Sequence, residues 1–390
     1  MNFSERTNWN LAENDLTAAI RERRASGHEL FDLTVSNPTH CGFDYEVAAL
    51  LAPLHNPEAL HYEPEPLGMV SAREAVAAYY RDAGASVTPE HICLTTSTSE
   101  AYSFLFRLLC NAGDEVLVAR PSYPLFEYIA QLDDVHLREY PLLYDPNADL
   151  SSGHGWSIDL HALEESITGR TRAVILVHPN NPTGNFASHQ ERTQLETLCA
   201  TRGLALIADE VFLDYPFGKP QPSFAAGESR CLTFVLSGIS KVCGLPQMKA
   251  SWIATCGPES LLREAMQRIE IIADTFLSMN APVQHALPHW LATRHVLQQQ
   301  ICERMRVNLA LLDSRMQGTS IQRLALQGGW TAVLRVPRTI DGREFVTAAL
   351  DRGVLVQPGE FYGLGEGRVV ISLLTPPAIW AAGLSLLPTG

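Results

Sequence analysis

The chain has 390 residues, 46% of them hydrophobic, and a formal net charge of −14. That length suits a large domain with a smaller companion, and the apolar fraction is enough to bury a core. The negative balance excludes a broad basic face for nucleic acid and a polybasic membrane patch, and no apolar run reaches the length of a membrane span.

Residues 1–16 are polar and have no apolar signal core, which predicts a cytoplasmic protein. The eight cysteines form no CxxC pair, so free thiols are expected. The histidines form no HExxH or HxH pair, so no metal site is expected.

Further along, short apolar runs predict strands at 91–95, 115–119, 173–178, 204–209, 231–236 and 251–256. Several are rich in Val, Ile and Leu without alternation, as strands buried on both faces are. Helical patterns lie between them at 99–110, 124–132, 188–201 and 258–272. This succession predicts an α/β fold with a mainly parallel sheet covered by helices on both faces. A long helical stretch at 286–316 leads into an α+β tail with strands at 331–336, 354–357 and 369–374. The expected division is a large domain at 55–285 and a small domain built from 1–54 and 286–390.

Ligands in such sheets bind beyond the carboxyl ends of the strands, so the residues just after each strand matter most. After the first comes Ser97-Thr98-Ser99 at a helix start, which serves either as a cap or as an anion site. After the second comes Tyr123 between Pro121 and Pro124, either a turn residue or a ring laid on a flat ligand. After the third, Asn180-Asn181-Pro182-Thr183-Gly184 is a tightly fixed loop in which Asn181 has little freedom. Asp209 ends the fourth strand, where a buried carboxylate needs a partner. After the fifth, Lys241 stands among small and apolar neighbours. Burial there lowers a lysine pKa and makes the amine nucleophilic. Five such positions in register with one sheet point to one site.

This series resembles the aspartate-aminotransferase-like, fold-type I family of pyridoxal-phosphate (PLP) enzymes, aminotransferase class I/II, from about Asp32 to Pro376. The strongest elements are Asn181-Pro182-Thr183-Gly184, Asp209-Glu210-Val211, and Ser240-Lys241 with the following Gly-Leu-Pro. The resemblance implies that Lys241 holds PLP as a Schiff base and moves the proton between substrate and cofactor. It implies that Asp209 pairs with the pyridinium nitrogen, Tyr123 stacks on the ring and Asn181 bonds the ring hydroxyl. Thr98 and Ser99, with Ser240 and Lys249, would hold the phosphate. Tyr62 resembles the tyrosine sent to the neighbouring subunit's phosphate, which implies a homodimer with shared active sites; a local packing anchor is the other reading. Ser36 and Asn37 match the substrate-side loop, and residues 357–362 resemble the loop that closes over substrate.

Four positions depart from the family pattern. Lys249 stands where an arginine is usual, and Gly238 where a serine is usual, with Ser237 or Ser240 as replacements. Phe212 stands where a tyrosine is usual. Val370 holds the place of the carboxylate arginine, and Arg368, on the same strand face, either reaches the site or is an ordinary exposed strand-end residue. The implied function is a PLP-dependent aminotransferase that moves an amino group from an amino acid or amine to a keto acceptor. The alternative is a lyase, decarboxylase or cyclising enzyme on the same fold.

Overall fold

The computed structural model describes every residue except 148, 149, 151, 152, 278, 338, 339, 389 and 390. The central sheet has eight strands: β1 (Ile92–Thr95), β2 (Glu115–Arg120), β3 (His136–Tyr144), β4 (Trp156–Ile158), β5 (Thr171–Val177), β6 (Ala205–Asp209), β7 (Thr233–Gly238) and β8 (Ser251–Cys256). Their order is β1-β8-β7-β6-β5-β2-β3-β4. β7, β6, β5, β2 and β3 run parallel, while β8 is antiparallel to both its neighbours and β4 closes the far edge antiparallel. Two reversals leave β1 parallel to β7, so its carboxyl end opens on the same edge as those of β2, β5 and β6.

The inner strands are apolar along their whole length because both faces are covered. One face meets Val70–Asp82, His189–Arg202 and Ala281–Thr293; the other meets Thr98–Leu109 and Glu259–Phe276. β3 escapes sequence detection for the opposite reason. Its run His-Leu-Arg-Glu-Tyr-Pro-Leu-Leu-Tyr mixes charged and exposed residues with a proline, which suits a strand near the sheet edge.

A second sheet has the order β9 (Gln322–Arg323), β10 (Thr331–Arg335), β12 (Arg368–Ser372), β11 (Gln357–Pro358), all antiparallel. Its core gathers Leu33 from the N-terminal part with Ile301, Leu334, Phe345, Ile371 and Trp380. The chain's two ends therefore share one core. The long helical stretch is two helices, Ala281–Thr293 and His295–Met316, joined at Arg294. Val283, Leu287, Trp290 and Leu291 pack into the large sheet's core, whereas Leu297 and Ile301 pack into the small one. The packing partners of this stretch thus change at Arg294. Among the described residues no helix is long and apolar enough to cross a membrane.

Candidate functional site

A cavity of about 520 Å³ opens at the carboxyl edge of the central sheet. Five strands, β1, β2, β5, β6 and β7, hand it groups. β1 delivers Ser97, Thr98 and Ser99; β2 delivers Tyr123; β5 delivers Asn181; β6 delivers Asp209; β7 delivers Ser240 and Lys241. Ser36 comes from the N-terminal part, and Trp330, Thr331, Gln357 and Tyr362 come from the small sheet and its loops.

The helix Thr98–Leu109 starts at the cavity. Ser97 caps it, its Oγ accepting from Glu100 N at 3.1 Å. The cap leaves the N–H groups of the first turn pointing outward, where an anion finds both free donors and the positive end of the helix dipole. Thr98 and Ser99 occupy that turn.

The neighbouring loop is held from within. Asn180 Nδ2 donates to Pro121 O (3.1 Å) and to Thr183 Oγ1 (2.7 Å). Gly184 has φ +70°, and a Cβ there would stand 2.4 Å from Gly328 O, so glycine is required by both conformation and space. In this fixed loop Asn181 faces the cavity with its buried Oδ1 unpartnered within the chain. A polar side chain so placed needs a ligand for satisfaction.

Asp209 is buried at the end of β6. Its Oδ1 accepts from Val211 N at 3.2 Å, and its Oδ2 accepts from the Tyr102 hydroxyl at 3.0 Å. Burial pushes its pKa up to about 6, against the pull of Val211 N–H, Tyr102 and Lys241. The next residue, Glu210, is engaged elsewhere: it accepts from Ser223 Oγ and Phe224 N, both at 2.6 Å.

Lys241 lies just beyond β7, its carbonyl accepting from the Tyr215 hydroxyl at 2.6 Å. Its Nζ stands 5.0 Å from the Trp330 ring centre and 5.7 Å from that of Phe212. Burial among these rings lowers its pKa, and Asp209 opposes the shift. A lowered pKa in an aromatic pocket favours the nucleophilic form of a lysine.

The departures from the family pattern have local explanations. Register pairs Gly238 with Ser251 across β7 and β8. A Cβ at 238 would come 2.2 Å from Ser251 Oγ. The Ser251 hydroxyl therefore fills the space that a serine side chain at 238 would take, and Ser251 lines the cavity. Of the two replacements expected, Ser240 lines the cavity, whereas Ser237 is buried with its hydroxyl unpartnered. Phe212 packs edge-on to Trp330 at 5.4 Å.

Four expected site residues do not reach the cavity lining. Arg368, for which a site contact and an ordinary strand-end role were both open, is outside the lining. Its Nη1 donates to Glu366 O at 3.1 Å and its backbone is paired with Arg335, so the guanidinium is held at the strand start. Val370 is fully buried with Leu324, Val333 and Leu364 behind Tyr362. Asn37 is exposed, and its side chain caps the short turn Pro38–His40. Lys249 is exposed in a left-handed conformation (φ 55°) beside that edge. Tyr62 is 78% exposed and lines a separate groove with Phe104, Leu277 and Asn280. Gln357 and Tyr362, from the loop expected to close over substrate, line the cavity, whereas Tyr102, Ser251, Trp330 and Thr331 belong to the site or its support without having been found in the sequence. Ser251 alone had a signal there, in its place at the start of a strand running back from the cavity edge.

Among the described lining residues, Lys241 is the one cation and Asp209 the one anion. No cluster of metal-ligating side chains exists among the described residues.

Comparison with known proteins agrees with this architecture. The profile of the family described as Aminotransferase class I and II matches residues 29–379. Glutamate-pyruvate aminotransferase of Escherichia coli (strain K12) is 28% identical over 263 residues, 67% of this chain and 63% of that protein. Alanine aminotransferase of Mycobacterium tuberculosis (strain H37Rv) is 30% identical over 67% of this chain and 60% of its own length. The match thus spans less than two thirds of these curated relatives. An alanine aminotransferase structure from Pyrococcus furiosus superposes with a TM-score of 0.87 at 22% identity, covering 99% of this chain and 98% of that one. The aspartate aminotransferase of Thermus thermophilus with maleate gives 0.82 at 22% identity, with 99% and 98% covered.

Proposed function

The chain belongs to the aminotransferase class I and II family, and we propose that it is a PLP-dependent aminotransferase working through Lys241. The observation that carries the proposal is one cavity bringing together a buried lysine amine, a buried carboxylate, a helix start and an unpartnered amide. These are the groups that fit a flat, anionic, basic-ring cofactor. Thr98, Ser99 and the helix N–H groups suit its phosphate, with Ser240 and Ser251 beside them. Asn181 suits the ring hydroxyl, Tyr123 the ring face and Asp209 the ring nitrogen. Lys249, at the same edge, adds positive charge to the phosphate end.

Bound there, PLP supplies an electron sink for charge developing at the substrate's Cα. The protein does the rest. Asp209, anionic above about pH 6, keeps a proton on the ring nitrogen. Lys241 Nζ would hold the cofactor and, freed as a base once a substrate amine is seated, would take the proton from the substrate's Cα. Trp330, Phe212 and Tyr362 exclude water from that amine. Thr331 Oγ1 donates to Pro182 O at 2.9 Å and ties the substrate side to the Asn181 loop.

The donor is an amino acid or amine and the acceptor a keto compound. Its polar end meets Ser36, Thr331 and Gln357, all neutral. The exposed Tyr62 and its groove support a homodimer in which this tyrosine reaches the partner's phosphate site. Eight free cysteines suit a reducing cytoplasm.

The test is the absorption spectrum of the PLP-loaded protein before and after a panel of donors, amines without a carboxylate included. Bleaching of the yellow band by a donor, with recovery on adding a keto acid, is expected. Donors consumed with steady release of product while the band persists would assign elimination or decarboxylation instead.

A further inference from the structure

We infer that Tyr102 is a positioning residue for the cofactor's ring nitrogen, acting through the Asp209 carboxylate. The inference rests on the proposed PLP site and adds to it a residue from the helix that starts at the cavity.

The helix Thr98–Leu109 buries Ala101, Tyr102, Phe104, Leu105 and Phe106. Tyr102 is the one residue of that set with a side-chain hydroxyl. It is 2% exposed and wedged against Phe126, ring centres 4.9 Å apart and nearly perpendicular. A hydroxyl in such a place has no water to turn to and is costly unless paired. It is paired with Asp209 Oδ2 at 3.0 Å. Val211 N–H takes the other oxygen. The carboxylate is thus fixed in rotation by one donor on each oxygen, at a residue that lines the cavity.

The position on the helix has a consequence. Thr98 and Tyr102 are four residues apart, on one face. A single rigid helix therefore sets the phosphate end of the cavity with its first turn and the nitrogen end with its second. Any shift of this helix would move both anchors together, which keeps the spacing between them constant.

A tyrosine donor also favours the anionic carboxylate over the neutral one. A neutral Asp209 cannot draw a proton onto a pyridine nitrogen; an anionic one can. Burial works against the anion at this site and the Tyr102 hydroxyl works for it.

The test compares wild type with Tyr102→Phe, which keeps the ring and its packing. Each full-length protein, freed of cofactor, is titrated with PLP and with the analogue in which carbon replaces the ring nitrogen. Loss of one hydrogen bond to a charged group predicts about tenfold weaker PLP binding in Tyr102→Phe. The analogue, having no nitrogen for Asp209 to hold, should bind both proteins within about twofold. Equal weakening of PLP and analogue would reduce Tyr102 to a packing role and overturn the inference, as would unchanged PLP binding. A wild-type protein that binds neither ligand would overturn the PLP site itself, a different failure that is recognised before the variant is compared.

Discussion

The two walls of the cavity are built on different principles. The wall from the large sheet consists of strand ends: Asn181, Asp209 and Lys241 each follow a buried parallel strand whose position is fixed by its ladder. The wall from the small sheet and N-terminal part consists of Ser36, Trp330, Thr331, Gln357 and Tyr362, drawn from loops and strand starts. The first wall carries all the charge among the described lining residues; the second is neutral. Reaction chemistry is thus placed on the rigid side, where a misplacement of about 1 Å would be costly. Substrate recognition is left to the side that can vary.

This contrast is open to attack, most strongly at Lys241. Lys241→Ala should lower transamination by at least about 10³-fold, since a nucleophile and general base are lost together; stopped-flow single-turnover rates would show it. Activity that survives would move the chemistry off the sheet wall.

A pH series probes the same wall through Asp209. Its pKa in the cofactor-free fold is raised to about 6, so the carboxylate is lost as pH falls through 6. Loss of that anion opposes the cofactor. PLP affinity should be level above pH 7 and fall about tenfold between pH 7 and 5, as read by fluorescence titration. The sign for stability is the reverse. A carboxyl whose folded pKa is raised binds more protons folded than unfolded between about pH 4 and 6. The cofactor-free protein should therefore gain stability from this group as pH falls through that window.

Ser251→Ala sharpens the picture of the phosphate end. Removing the hydroxyl that occupies the space beside Gly238 should weaken PLP by about three- to tenfold, without changing the donor preference. Arg368→Ala probes the neutral wall and should have the smallest effect. With its guanidinium held by Glu366 O, KM for any donor should change by less than about twofold. A tenfold rise confined to carboxylate-bearing donors would place a cation on that wall after all.

The same contrast explains what could be read from the sequence. Residues fixed by local chain rules were legible. Asn181 sits between prolines and a glycine, and Asp209 and Lys241 close apolar runs, so the strand-end rule placed them at one edge. Fold class followed from the same alternation. Residues placed by contacts across elements were not legible. Ser251 is revealed by its register opposite Gly238, and Tyr102 by a hydrogen bond spanning 107 positions. Trp330 reaches Lys241 only because the small sheet folds back over the large one. Arg368 illustrates the converse: strand alternation put it on the face of Val370, but that face is filled by Leu324, Val333 and Leu364. The 286–316 pattern is continuous in hydrophobicity across Arg294, while its packing partners change there.

The most direct test of the central claim is borohydride reduction of the PLP-incubated protein followed by peptide mapping. The account predicts one reduced pyridoxyl group per chain, on the peptide containing Lys241. A label on Lys249, on several lysines at once, or on none would contradict it.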